Sequence, residues 1–225
     1  RPRLGDMMQG APEKLPPNWQ PPWLKAMFRG YFQMAFGEVS VRGLDQIPAK
    51  GPLIIASTHR SYLDPLILGG FISRPFSAMS KRELFSNPLF ARLITKLGAF
   101  PVDREKTRNS TFRTAVQILR KGDALVIFPE GGIVNSLGEQ GFKEGVGLIA
   151  AMTSAQVLPV YLSGANTLFT WPDGLTNDTR LVIHAGELIE PMGTGGKESR
   201  VRIAQKIASA LGALERDNLK EIEAG

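Results

Sequence analysis

The chain has 225 residues, long enough for one domain with a core of its own, which excludes a miniprotein stapled by disulfides or metal. Its 27 Lys plus Arg against 21 Asp plus Glu give a formal charge of +6, and 43% apolar residues is a globular rather than a disordered composition. Cysteine is absent, which removes disulfides, thiol nucleophiles and thiolate zinc sites together, and the two histidines, His59 and His184, do not make an all-histidine metal site.

Residues 1–22 carry six prolines, including Pro16-Pro17 and Pro21-Pro22, and read as an extended leader. The first residue is Arg1 rather than Met and no signal-peptide pattern follows, which suggests a missing or processed N-terminus and leaves targeting open. From Trp23 the pattern changes: Leu24, Met27, Phe28, Tyr31 and Ala35 recur at helical spacing and predict an amphipathic, aromatic-rich helix over 23–37. Two readings stand for it. Either it packs on the core, or Trp19, Trp23 and their aromatic neighbours sit at a lipid headgroup layer with Lys25 and Arg29 facing lipid phosphates. No apolar run approaches the roughly 18 residues of a spanning helix, so if the protein meets a membrane, this stretch of chain meets it from one side. The cations are spread along the chain, which favours an anionic partner but offers no nucleic-acid reading motif.

Beyond residue 37, strand-like and helix-like segments alternate. Strands are predicted at 38–42, 53–57, 76–79, 99–102, 124–128, 157–162 and 181–184. The clearest helix covers 109–121, where Phe112, Ala115, Val116 and Leu119 form one stripe behind an Asn109/Ser110 cap; another lies near 199–216, with Ala204, Ile207, Ala208, Leu211 and Leu214 on one side. This alternation predicts an α/β fold: residues 38–225 as a single layered domain with a mixed, largely parallel sheet flanked by helices, preceded by the amphipathic helix.

In such sheets reactive groups gather where strands end and helices begin. The first such junction holds His59 and Asp64. Five residues apart on one helix, they would differ by about 140° around the axis and not share a face. Asp64-Pro65, however, suits the cap and first turn of a helix, so a turn after strand 53–57 lets the two meet. The carboxylate would then fix the imidazole tautomer and leave a general base for an alcohol; the plainer alternative is that Asp64 only caps a helix. His184 ends a strand with no carboxylate at similar spacing and reads as structural or surface. A second junction, Phe128-Pro129-Glu130-Gly131, puts a carboxylate on a glycine turn, and a third, 98–104, ends in Asp103-Arg104, a guanidinium suited to phosphate or to a plain surface ion pair.

Taken together, these segments resemble the glycerolipid acyltransferase family, whose best-known members are the lysophosphatidate acyltransferases. His59-Arg60-Ser61-Tyr62-Leu63-Asp64 is similar to its H-x-x-x-x-D motif, 98–104 to its second block, 128–131 to its F-P-E-G block and 157–160 to its fourth. Lys81 and Glu83-Leu84-Phe85, and Phe142-Lys143-Glu144-Gly145, fit two intervening stretches, so that the match runs in order over roughly 38–190. The resemblance implies an acyltransferase domain over 38–225. In it, His59, oriented by Asp64, would deprotonate a lysophospholipid hydroxyl for attack on the thioester of acyl-CoA or an acyl carrier protein, with no acyl-enzyme, metal or cofactor. Arg104, with Lys81 and Lys143, would hold acceptor phosphate, Glu130 and Gly131 would shape the acceptor site, and Arg60 would add positive potential. Together with the positive charge and the aromatic segment from Trp19 to Phe36, such a bilayer substrate predicts a peripheral protein at a membrane lipid surface, on the cytoplasmic face or a stromal or organellar equivalent; with no reading motif, no nucleic-acid partner is expected. One departure stands out: the third block commonly continues E-G-T-R-S, whereas this chain has Ile133 at the arginine position, which points away from lysophosphatidate toward a lysophospholipid with a larger head group, a lysoglycolipid or another alcohol, unless Arg104, Lys81 or Lys143 compensates. The alternative from a different class is a catalytically silent lipid-binding module of the same fold. An α/β hydrolase is disfavoured, because no G-x-S-x-G elbow occurs.

Overall fold

The computed structural model describes residues 15–102, 108–134, 137, 141–143, 145–167, 180–190 and 197–224. Among the described residues, seven strands form one sheet in the order β1-β7-β6-β2-β5-β3-β4. They are β1 (Glu38–Arg42), β2 (Leu53–Ser57), β3 (Phe76–Lys81), β4 (Ala99–Val102), β5 (Ala124–Ile127), β6 (Gln156–Ser163) and β7 (Arg180–Ala185). Each coincides with one of the segments expected from the sequence, β5 ending one residue short, at Ile127. From β6 through β4 all neighbours are parallel; β7 pairs antiparallel to β6, and β1 parallel to β7. The sheet is thus mixed and mostly parallel, and the C-terminal ends of β2, β5, β3 and β4 share one edge.

The described residues also form six α-helices: α1 (Pro22–Ala35), α2 (Asp64–Phe71), α3 (Pro88–Lys96), α4 (Arg108–Arg120), α5 (Gly145–Thr153) and α6 (Lys197–Ala224). Strand β2, buried throughout, shows why two layers are needed. Successive side chains point to opposite faces. Leu53 and Ile55 join Phe32 of α1, Phe36 just beyond it, and Ile67, Leu68 and Phe71 of α2 in one apolar cluster. Ile54 and Ala56 join Phe112, Val116 and Leu119 of α4, Val146 and Ile149 of α5, and Ile203, Ile207 and Leu211 of α6 in the other. At about 1.5–3 kcal/mol for each fully buried aliphatic side chain, the two faces supply the main stabilisation of the domain.

Several local expectations are corrected. Helix α4 begins at Arg108, so Asn109 and Ser110 are already helical, and α6 runs well past 216. Helices α3 and α5 were not anticipated: α5 is apolar around most of its circumference and carries no periodic signal, and α3 is a short helix with no buried residue. In α1 the expected stripe splits. Phe32, Ala35 and Lys25 face inward, while Trp23, Met27, Tyr31 and Met34 are exposed. Lys25 does not face a lipid phosphate: its ammonium donates to the carbonyls of Ile72 (2.8 Å) and Arg74 (3.1 Å), tying α1 to the end of α2. Arg29 Nε likewise donates to Gly70 O at 3.2 Å, and its guanidinium lies over Phe71. Gly70 permits this approach, since a Cβ there would meet the Arg29 backbone nitrogen at 2.9 Å. Residues 1–14 of the expected leader lie outside the described residues.

Candidate active site

The site is built at the C-terminal edge of the sheet by the loops leaving β2 and β5. Beyond Ser57, Thr58 is locked to the neighbouring strand: its N–H donates to Val160 O (3.1 Å), its hydroxyl donates to Leu162 O (2.7 Å), and the same oxygen accepts from Leu162 N–H (2.8 Å). The next residue is His59. Its N–H donates to Glu130 Oε2 at 3.0 Å and its carbonyl accepts from Val134 N–H at 3.1 Å, so the loop after β5 holds the histidine backbone from both sides. The Phe128 ring stacks on the imidazole with centroids 4.0 Å apart.

The chain then turns, as His59 and Asp64 require. Asp64 Oδ2 lies 2.8 Å from His59 Nδ1 and also accepts from the N–H groups of Arg60 (2.7 Å) and Ser61 (2.9 Å). The expectation of Asp64 as a helix cap is corrected. Asp64 is the first residue of α2, and its carboxylate serves the preceding loop rather than its own helix, whose flanking residue Leu63 makes no side-chain cap. Asp64 is 0% exposed, and a buried carboxylate held by three N–H donors is fixed in place. An ionised Asp64 accepts Nδ1–H, which leaves the lone pair on Nε2 as the imidazole's basic site.

Glu130 is also 0% exposed. Burial pushes its carboxyl above the ordinary glutamate range, opposed by the His59 N–H and the Arg60 guanidinium. Arg60 is buried too: Nη1 donates to Val134 O (3.0 Å) and lies 3.7 Å from Glu130, while Nη2 lies 3.5 Å from Glu215 of α6. Both side chains therefore point into the frame around the His59 backbone. Gly131 has φ +78°, a conformation that favours glycine, and closes a turn through its N–H to Phe128 O (3.0 Å). A Cβ on it would lie 3.0 Å from Lys143 Cε, and Lys143 N–H donates to Pro129 O (2.8 Å), so Gly131 and the Lys143 stem are neighbours. Lys81, at the end of β3, has its ammonium 3.4 Å from Tyr62 Oη and over the Tyr62 ring, within the loop that joins His59 to Asp64.

His59, Asp64, Arg60 and Glu130 are thus brought together, with Gly131–Lys143 and Tyr62–Lys81 as two adjoining pairs. Arg104 lies outside the described residues. His184 is distant from this group: its Nε2 is 2.8 Å from Ser40 Oγ between β7 and β1, and burial lowers its pKa. Phe128, Val134 and Glu215 were missed as site residues. Phe128 was visible within the F-P-E-G block but carried no role, and neither Val134 nor Glu215 has a local signal, since each reaches the loop only through tertiary packing.

A family model described as Acyltransferase matches residues 38–163, more than half of the chain and including every part of this loop system up to β6. The chain belongs to the Acyltransferase family. Among its relatives, a 1-acyl-sn-glycerol-3-phosphate acyltransferase of Streptococcus pneumoniae is 33% identical over 68% of this chain and 56% of its own length. A Bacillus subtilis protein of the same name is 33% identical over 58% of this chain and 65% of its own, and one from Pseudomonas aeruginosa 36% identical over 53% and 47%. The chain thus spans less than two thirds of the length of these relatives. The crystal structure of the 1-acyl-sn-glycerophosphate (LPA) acyltransferase, PlsC, from Thermotoga maritima superposes with a TM-score of 0.69, covering 86% of this chain and 78% of that one at 23% identity, a likeness of fold.

Proposed function

We propose that this protein transfers a fatty acyl group from acyl-CoA or an acyl carrier protein to the free hydroxyl of lysophosphatidate or a related lysophospholipid, in phospholipid synthesis or remodelling. The observation that carries this reading is the 2.8 Å contact between His59 Nδ1 and the buried Asp64 carboxylate. A silent lipid-binding module of this fold has no use for a base with its orienting acid. The shared name of the relatives supports the acceptor class.

In this scheme the acceptor hydroxyl gives its proton to His59 Nε2 as its oxygen bonds to the thioester carbonyl carbon. Asp64 stabilises the imidazolium through Nδ1–H. When the tetrahedral adduct collapses, the C–S bond breaks, the departing sulfur takes the proton from His59, and an ester and a free thiol result. No acyl-enzyme and no cofactor enter the scheme. Lys81, Lys143 and Arg104 are assigned to the acceptor phosphate, taking over the charge absent at Ile133, and Gly131 gives the Lys143 stem its room. Glu130 and Arg60, both buried, are assigned to holding the His59 loop. The lipid acceptor implies a peripheral position on a membrane, at the cytoplasmic face or its stromal or organellar equivalent; no helix among the described residues is long and apolar enough to cross one.

The test is transfer from labelled acyl-CoA and acyl carrier protein to a panel of lysophospholipids by the native protein and by His59→Ala. Transfer is expected to fall by roughly a thousandfold or more in the variant. Folded native protein that binds vesicles yet acylates no acceptor would instead be a lipid-binding module.

A further inference from the structure

Residues 82–96 stand out on the surface. The 3-10 turn Arg82–Phe85 and helix α3 contain Leu84, Phe85, Leu89, Phe90, Leu93 and Ile94, yet not one residue of either element is buried. Leu89 is 82% exposed and Leu93, one turn on, 52%. The helix is nonetheless well founded: the Asn87 side chain accepts the N–H groups of Leu89 (3.0 Å) and Phe90 (3.1 Å), and Pro88 occupies the first turn. Exposed apolar residues gathered on so short a segment mark an interaction surface. Its charge names the partner: Lys81, Arg82, Arg92 and Lys96 stand against the single acid Glu83.

The face does not end at α3. Trp19 N–H donates to Lys96 O (2.6 Å), the Lys96 ammonium lies over the Trp19 ring, and Trp19 meets Trp23 edge to face at 5.8 Å. From Trp23 the apolar surface continues along α1 through Met27, Tyr31 and Met34, the last 84% exposed. These four lie at intervals of four, four and three, on one side of a helix about 21 Å long. At its other end the surface adjoins the catalytic loop, because Lys81 directly precedes Arg82 and reaches Tyr62.

We propose that α3 and its preceding turn, joined to the outer face of α1 through Trp19 and Lys96, form one docking surface for an anionic lipid bilayer, with Leu89 and Leu93 entering the acyl region. The proposal deepens the reading of a lipid acceptor and rests on it for the purpose of the surface: an acceptor leaving the bilayer beside α3 meets the Tyr62–Lys81 pair before water. A lipid surface fits better than an acidic carrier protein, because Trp19, Trp23 and Tyr31 combine apolar rings with polar edges suited to the headgroup layer, and cations suit its phosphates.

The chain has no cysteine, so Leu89→Cys creates a single attachment point for an environment-sensitive dye. On phosphatidylcholine vesicles containing phosphatidylglycerol the dye is expected to shift to the blue together with the tryptophan emission, and both shifts are expected to reverse at high salt. The double variant Leu89→Glu/Leu93→Glu is expected to bind these vesicles at least about tenfold more weakly while keeping its melting temperature and its transfer to a dispersed short-chain acceptor. A tryptophan shift without a dye shift, or undiminished vesicle binding by the double variant, would overturn the role of α3. So would a loss of carrier-protein binding with vesicle binding intact, which would reassign the face to the acyl donor. Absence of transfer by native protein whose dye and vesicle responses follow the expected pattern would leave the surface standing and remove the transferase reading instead.

Discussion

The contact between His59 and Asp64 owes its quality to groups that are not themselves reactive. Asp64 Oδ2 accepts two backbone N–H groups besides the imidazole, so its position is set by the same turn that delivers His59. Replacing it with Asn keeps the size but removes the charge that offsets an imidazolium. Asp64→Asn is therefore expected to lower kcat by roughly three orders of magnitude, with KM for both substrates little changed, measured in steady-state transfer assays. The residue types and their spacing were legible in the sequence. Their pairing was read there too; that Asp64 leaves its own helix uncapped and instead holds the N–H groups of Arg60 and Ser61 was not, because only the path of residues 59–63 decides it.

Helix α1 shows how one element carries opposite chemistry on two sides. Its inner side contains a lysine, Lys25, whose ammonium meets two carbonyls at the end of α2, and burial, with Arg29 nearby, lowers its pKa from 10.5 to about 8. Between these two values the unfolded chain holds more protons than the folded one, so this group makes stability rise as pH increases through that window and lowers it again as pH falls toward 8. Thermal unfolding of the native protein and Lys25→Met, compared from pH 8 to 10.5, is expected to show the native chain gaining relative to the variant across the range. Helical periodicity identified α1 but misassigned its faces. Lysine is usually a surface residue, and the carbonyls that accept Lys25 belong to residues 72 and 74, which no pattern within residues 23–37 announces.

Across the whole molecule, the site depends on chain segments far apart in sequence. Glu215 of α6, beyond the stretch that matches the family model, lies 3.5 Å from the Arg60 guanidinium, which in turn faces Glu130 and the backbone of Val134, and both of these hold His59. Glu215→Gln removes one of two carboxylates around a buried cation. It is expected to lower kcat several-fold through a looser His59 loop, with KM near the native value and a shifted pH profile, whereas a purely structural role would change the melting temperature alone. The sequence by itself determined the α/β class, the positions of the seven strands among the described residues and the residues of the His59 loop, because alternation of apolar segments and the chemistry of a turn are local properties. Only the tertiary structure decided which helices share a sheet face, that Arg60 and Glu130 turn inward, and that the apolar residues of α3 remain uncovered. Each of those outcomes depends on what packs against a residue, and that is set by segments distant in the chain as well as by its neighbours.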